Sequence, residues 1–585
     1  MSTKVVEVDA IFLQDGESAW VSNLWDVYHR ARDKKMAEWL ELRNYIFATD
    51  TSTTSNNTLP WKNSTTTPKL CQIRDNLHSN YISALFPNDN WLSWKAYNQD
   101  SSVIEKARAI EGYMANKCNE THFRNTVSKL VYDYIDYGNA FATVEYVTQM
   151  QSKGEDISPT KVYVGPRLVR INPMDIVFNP MAEDFYQTHK IIRSVKTIGE
   201  IYKLVEDFPE EVAWKKFLER REKIAIKSAG MSTEDFNKSC GYLADGFGNM
   251  KDYYQGELVE ILRFFGDYYD PTTGVLTQDV VITIADRSFT VNKEPQQSWF
   301  GRAPIWHVGW RFRQDNLWAM GPLDNLVGMQ YRIDHLENLK ADAMDLVVHP
   351  PLAIVGEVEE FVWGPGEEIH LDEGGSISAL TKDLSGLAVA NNEIVTLENK
   401  MELYAGAPRE AMGIRTPGEK TALEVQTLNT AAGRIFQEKT SQFETELLEP
   451  ALNGMLETAI RNLDTVDTIE VLNDEFGFKV FRTITKSDIT ASGILRPIGA
   501  RHFTKQAQDV QNLMQLMQTP LGQASLPHLS GKAAYKLIED ISNMTQYKLF
   551  ADFIAIIEQK EQATHTNVAQ ESFLSENSQP IPPGM

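Results

Sequence analysis

The chain has 585 residues, 42% of them hydrophobic and 23% charged, enough for a large core shared among several structural units. A formal net charge of −23 excludes a surface that grips nucleic acid over its whole extent, because neutralising phosphates takes a basic face. Three cysteines (Cys71, Cys118, Cys240) stand far apart and form no CxxC, which excludes a disulfide framework and a zinc ribbon and fits a reducing compartment.

The opening MSTKVVEVDA lacks the apolar core of a signal peptide, and no run approaches the roughly 18 apolar residues of a membrane span. A soluble protein made in a cytoplasm, with no membrane partner, is the expectation. Residues 16–49 carry Trp20, Leu24, Tyr28 and Ala31, then Trp39, Leu42 and Tyr45, at helical spacing. The polar stretch 50–67 reads as a loop. Helical patterns resume over 68–86 and 101–136, and Gly138-Asn139 mark a break before a strand. KVYVGPRLVRINPMDIVFNP reads as strand, turn and strand. A charged helical stretch covers 196–240, and from 256 the pattern turns to period two. The first 315 residues therefore predict a mixed α+β body.

Gly321-Pro322 opens a helix predicted over 321–349, roughly 40 Å long at 1.5 Å per residue. Its apolar stripe is Leu323, Leu326, Ile333, Leu336, Leu339, Ala343 and Val347, with charged residues on the other face. Pro350-Pro351 ends it. The next stretch, GEVEEFVWGPGEEIHLDEGG (356–375), holds seven acids and no Lys or Arg, and reads as a small β element with turns. A second amphipathic helix is predicted over 390–405, with Ile394, Leu397, Met401 and Leu403 on its apolar positions. The loop AGAPREAMGIRTPGEKTALE follows, and Thr421 begins a long regular helix that Pro450 kinks or ends. A β region is predicted over 468–496, helices over 503–518 and 531–560, and a disordered tail over 561–585.

Motifs for chemistry are weak. GIRTPGEKT, Gly413 to Thr421, nearly matches a phosphate-binding loop, but Glu419 separates the glycine from the lysine, where a carboxylate repels phosphate. The eleven histidines form no HxH, HxxxH or HExxH, and no GxSxG occurs. Neither a catalytic residue, a metal site nor a cofactor is expected, and the chain reads as no enzyme.

The order of elements resembles the portal (head-to-tail connector) proteins of tailed bacteriophages, the short-tailed type in particular. YDYIDYGNAFATVEY, RLVRINPMDIVFNP, LWAMGPLDNLVGMQYRIDHLENLKADA and AGAPREAMGIRTPGEKTALEVQTL carry the likeness, which covers about residues 20–560. The resemblance implies a ring of twelve copies at one capsid vertex. It implies a wing (1–320 and 422–502), stem helices (321–349 and 390–405), a clip (350–389), a tunnel loop (406–421) and a helical crown (503–560). The 561–585 tail would be flexible. Such a ring conducts double-stranded DNA into and out of the head and contacts the major capsid protein. It docks the terminase large subunit, then adaptor and tail proteins. It is assembled in the host cytoplasm and ends in the virion.

Two sets of site residues follow. The clip would dock basic partners through Glu357, Glu359, Glu360, Trp363, Glu367, Glu368, Asp372 and Glu373. Arg409, Arg415 and Lys420 of the tunnel loop would touch the DNA backbone without reading sequence. The acids of the stem helices (Asp324, Asp334, Glu337, Asp342, Asp345, Glu393, Glu398, Glu402) would line a lumen or lie on the outer face. The alternatives are another virion structural protein, such as a tail or internal core component, and a nucleotide hydrolase.

Overall fold

The computed structural model describes residues 16–47, 63–87, 91–97, 101–151, 160–207, 212–224, 258–270, 273–296, 302–356, 374–379, 385–406, 435–463, 467–472, 479–490 and 492–497. They form a mixed α+β chain. It divides into two compact units. The first holds 1–82, 122–145 and 167–457, and the second 83–121, 146–166 and 458–585.

In the first unit, α1 (Gly16–Ala31) and α2 (Asp33–Ile46) are followed by α3 (Lys69–Leu85), whose last residues pass into the second unit. The helical pattern predicted over 101–136 forms two helices, α4 (Ser101–Glu120) and α5 (Phe123–Asp136). His122 adopts a left-handed φ of 52° between them, which reverses the chain where helical spacing alone shows no break. Strands β2 (Asn139–Gln151) and β3 (Thr160–Ile171) follow, then β4 (Ile176–Phe178) and β5 (Lys190–Thr197). The charged helical stretch predicted over 196–240 contains α6 (Ile198–Asp207) and α7 (Val212–Ile224). The period-two pattern from 256 gives β6 (Leu258–Tyr269), β7 (Leu276–Ala285) and β8 (Phe289–Pro295).

A five-stranded antiparallel sheet, β4-β5-β6-β7-β8, is the frame. Alternate β6 residues point to opposite faces, as strand geometry demands. Leu262 and Phe264 meet Val21 and Trp25 of α1, while Val259 and Ile261 meet Ile201 of α6 and Trp214 and Phe217 of α7. A second sheet, β3-β2-β9, includes β9 (Ile305–Gly309), and Phe141 of β2 stands opposite His307. Burial pushes the His307 imidazole down to about 3, so it is neutral. Its Nε2 donates to Asn139 Oδ1 at 3.0 Å.

The hairpin β10 (Arg311–Arg313) and β11 (Asn316–Met320) leads toward α8 (Val327–Val348). The helix begins later than the predicted 321. Gly321 donates its N–H to Asp324 Oδ2 and closes a turn instead, so Pro322 precedes the helix rather than sitting in its first turn. Gly138 (φ +69°) packs against this point. A Cβ there would lie 2.3 Å from Gly321 N, so glycine alone lets the two backbones touch.

Strand β12 (Leu352–Val355) pairs antiparallel with β13 (Ser376–Ala379), and α9 (Ser385–Tyr404) returns. Helical residues 435–443 run into a π-helical turn, Glu444–Leu448, and then α10 (Glu449–Asn462). Pro450 neither ends this helix nor stands alone in it. The widened turn just before it accommodates the backbone donor that proline lacks.

In the second unit, α4 packs on β1 (Leu92–Ala96), on β14 (Asp467–Leu472) and on the short α11 (Lys486–Ile489). β14 pairs with β15 (Lys479–Ile484), and β1 with β16 (Gly493–Pro497), where Trp94 stands opposite Leu495. The Trp94 N–H donates to Glu111 Oε1 of α4 at 2.6 Å. The predicted crown (503–560) and tail (561–585) lie outside the described residues.

Candidate functional site: a helical hairpin tipped by a ribbon

Helices α8 and α9 pack on each other, and the β12–β13 ribbon joins them. At 1.5 Å per residue they are about 33 and 30 Å long. The second helix starts five residues before the predicted 390, at Ser385, which shortens the predicted clip from that side. Arg332 Nε donates to Glu393 Oε1 at 3.3 Å across the two helices, and Lys340 Nζ to Asn391 Oδ1 at 3.2 Å.

Leu323, Leu326, Ile333 and Leu336 of the predicted apolar stripe are buried, but the rest of the buried face of α8 is polar. Leu339 and Val347 are exposed, whereas Gln330, Asp334, Asn338 and Asp342 are buried. These four polar residues recur every four positions on one side of the helix. Against them runs an extended strap from residue 63, antiparallel to α8. Asp342 Oδ1 accepts the backbone N–H of Asn63 (2.8 Å), Asn338 Oδ1 that of Thr65 (2.8 Å), and Asp334 Oδ1 that of Thr67 (2.9 Å). Gln330 Oε1 accepts the N–H of Leu70 (3.2 Å), and its Nε2 donates to the Thr67 carbonyl (2.6 Å). Asn338 Nδ2 likewise donates to the Thr65 carbonyl at 3.1 Å.

The spacing explains the match. Two residues of extended chain advance about 6.6 Å and four residues of helix about 6 Å, so every second strap residue meets every fourth helix residue. The side chains of α8 thus replace a neighbouring strand for backbone groups that would otherwise be buried unpaired.

The acids expected along a lumen or an outer face are therefore split. Asp334 and Asp342 serve the strap, and Asp324 takes Lys35 Nζ at 2.7 Å. Glu402 of α9, also buried, takes Lys69 Nζ at 2.6 Å. Asp345, Glu393 and half-buried Glu337 and Glu398 remain toward solvent. Burial raises the Asp334 carboxyl to about 6, against the hydrogen bonds from Thr67 and Gln330 that lower it.

Elsewhere the hairpin exposes apolar surface. Half of the large hydrophobic side chains exposed among the described residues sit on it, among them Val348 and Val389 (each 67% exposed), Val355 (62%) and Leu403 (63%). Leu403, predicted as an apolar contact of α9, is thus on the outside, while Ile394, Met401 and Ala405 face inward.

The predicted clip residues Glu357, Glu359, Glu360, Trp363, Glu367, Glu368, Asp372 and Glu373 lie outside the described residues, as do Arg409, Arg415 and Lys420. Only the two flanks of the insert, 350–356 and 374–379, are described. The polar ladder was missed in the sequence, although its signal is there: amide and carboxylate side chains at 330, 334, 338 and 342. Among the described residues no helix is long and apolar enough to cross a membrane, and no group of three or more His, Cys, Asp or Glu could hold a metal ion. No protein-family model matches the chain, and a search of curated proteins finds no match.

Proposed function

We propose that this chain is the subunit of a ring-forming portal, a conduit for double-stranded DNA at a capsid vertex. The observation that carries the reading is the hairpin: paired helices that leave large apolar side chains in water and hold a ribbon that is two-stranded among the described residues. An exposed apolar patch of this kind marks an interaction surface. A two-stranded ribbon is marginal alone and gains from strands beside it. Identical hairpins placed side by side about an axis would cover the first and extend the second. The element order, an α+β body before the hairpin and a long helix after it, agrees with the resemblance to phage portals.

In this reading the ring contacts the major capsid protein. The acidic insert docks the terminase large subunit and later adaptor and tail proteins. Arg409, Arg415 and Lys420 touch passing DNA at its phosphates. Replacing these three with alanine should alter DNA retention or packaging while rings still form; unchanged packaging removes that role. The reading itself is tested by negative-stain microscopy of the purified chain. Rings with a central hole are expected, and an ATP-hydrolysing monomer would count for the nucleotide hydrolase instead.

A further inference from the structure

A second feature lies in the first unit, in a pocket that no hairpin residue lines. The pocket, of about 400 Å³, is lined by residues of α2, α3, α5 and β3 and of the turn after β3. On a chain of net charge −23 its lining holds Arg43, Arg74, Lys129 and Arg170 against only Asp133 and Asp136. Two of the cations are fixed in place. Arg74 donates Nε and Nη2 to the two oxygens of Asp136 (2.7 and 2.8 Å), and its guanidinium lies 4.1 Å from the Tyr132 ring centre. Arg170 donates Nε and Nη2 to the two oxygens of Asp133 (2.5 and 2.6 Å). Each carboxylate thus spends both oxygens on one guanidinium. Asp75 approaches Arg74 Nη1 at 3.7 Å, but its side chain is 59% exposed and is not part of the lining.

We propose that this pocket binds a phosphate-bearing ligand. Guanidinium groups already held by bidentate pairs meet a phosphate with little ordering left to do, offering it the N–H groups outside the Nε/Nη2 fork that the carboxylates occupy. Exposed Lys129 adds a mobile charge. The volume falls in the range of small-molecule sites, and Trp39, Tyr132 and Tyr137 supply aromatic walls beside the charges. The chemistry is shared by a free nucleotide, by pyrophosphate and by a nucleic-acid phosphate.

The test is calorimetric titration of the full-length chain with ATP, with inorganic pyrophosphate and with a short single-stranded oligonucleotide. Binding of at least one is expected, weakened about tenfold or more by Lys129→Glu and by Arg43→Ala, with Lys203→Ala as an exposed control on α6. Lys129 is exposed, so its variant keeps the fold, and its thermal midpoint is checked against the parent. The strongest of the three probes identifies the source. No binding of any probe at millimolar concentration overturns the site, as does binding that Lys129→Glu and Arg43→Ala leave at the level of the control.

Discussion

Thr67 donates its backbone N–H to Asp334 Oδ1 across 2.9 Å, while Asp334 Oδ2 is buried with no hydrogen-bond partner among the described residues. A buried carboxylate with one idle oxygen favours its protonated form, and the group rises from 3.8 to about 6. Because the folded value is the higher one, its contribution to stability is complete below about 3.8 and is lost as pH rises through about 6. Asp334→Asn keeps the acceptor for Thr67 and removes the titration. Thermal melts of parent and variant at pH 5 and pH 8 should show the parent gaining more on acidification. Parallel pH profiles would contradict this account of the seam.

The Lys69–Glu402 pair ties the end of the strap to α9, with side chains 7% and 5% exposed. Removing one member leaves a buried charge alone, so Lys69→Met or Glu402→Leu should each cost roughly 3–5 kcal/mol in denaturant unfolding. The double substitution should cost clearly less than the two together. Simple additivity would mean that the two charges do not act as a pair.

Gly138→Ala should be among the most damaging single changes. The added methyl would sit 2.3 Å from Gly321 N, and the backbone there is left-handed at φ +69°. Strain of this kind costs on the order of 1–3 kcal/mol before any clash, and here backbone meets backbone, with no flexible side chain to yield. Loss of soluble protein, or a melting point lowered by several degrees, is the expected reading. A fully stable variant would show that the start of the hairpin can shift.

Much of the frame was legible in the sequence for simple reasons. Period-two patterning from 256 gives the central sheet because alternate residues such as Ile261 and Leu262 serve opposite covers. Pro350-Pro351 placed the end of α8 to within a residue, while Gly321-Pro322 put its start six residues too early. The rule that a helix buries its apolar side held at Ile333 and Leu336 and failed at Leu339 and Val347. At Gln330, Asp334, Asn338 and Asp342 a strap of unpaired backbone lies on the helix, and the polar groups go inside to satisfy it. Composition alone read that strap as a loop because Asn63, Thr65 and Thr67 are turn formers in isolation. The Arg170–Asp133 and Arg74–Asp136 pairs were invisible for another reason: they join residues 37 and 62 positions apart. The residues predicted for docking (Glu357 to Glu373) and for the tunnel (Arg409, Arg415, Lys420) lie outside the described residues.

Val348 and Val389, on the two helices of the hairpin, are each 67% exposed. Aspartate at both positions should leave the melting point of the isolated chain within about 0.5 kcal/mol-equivalent of the parent, since such sites carry little monomer stability. It should block association, read by light scattering after gel filtration. An assembly of unchanged mass would show that this face is not the one that copies share.

The central claim is that many copies of this chain close into a ring through the hairpin. Mass measurement on the purified 66.3 kDa chain, paired with negative-stain images of the same sample, tests it most directly. The account expects a closed assembly of about twelve copies with a central hole. A monodisperse monomer that stays monomeric as its concentration is raised would contradict it.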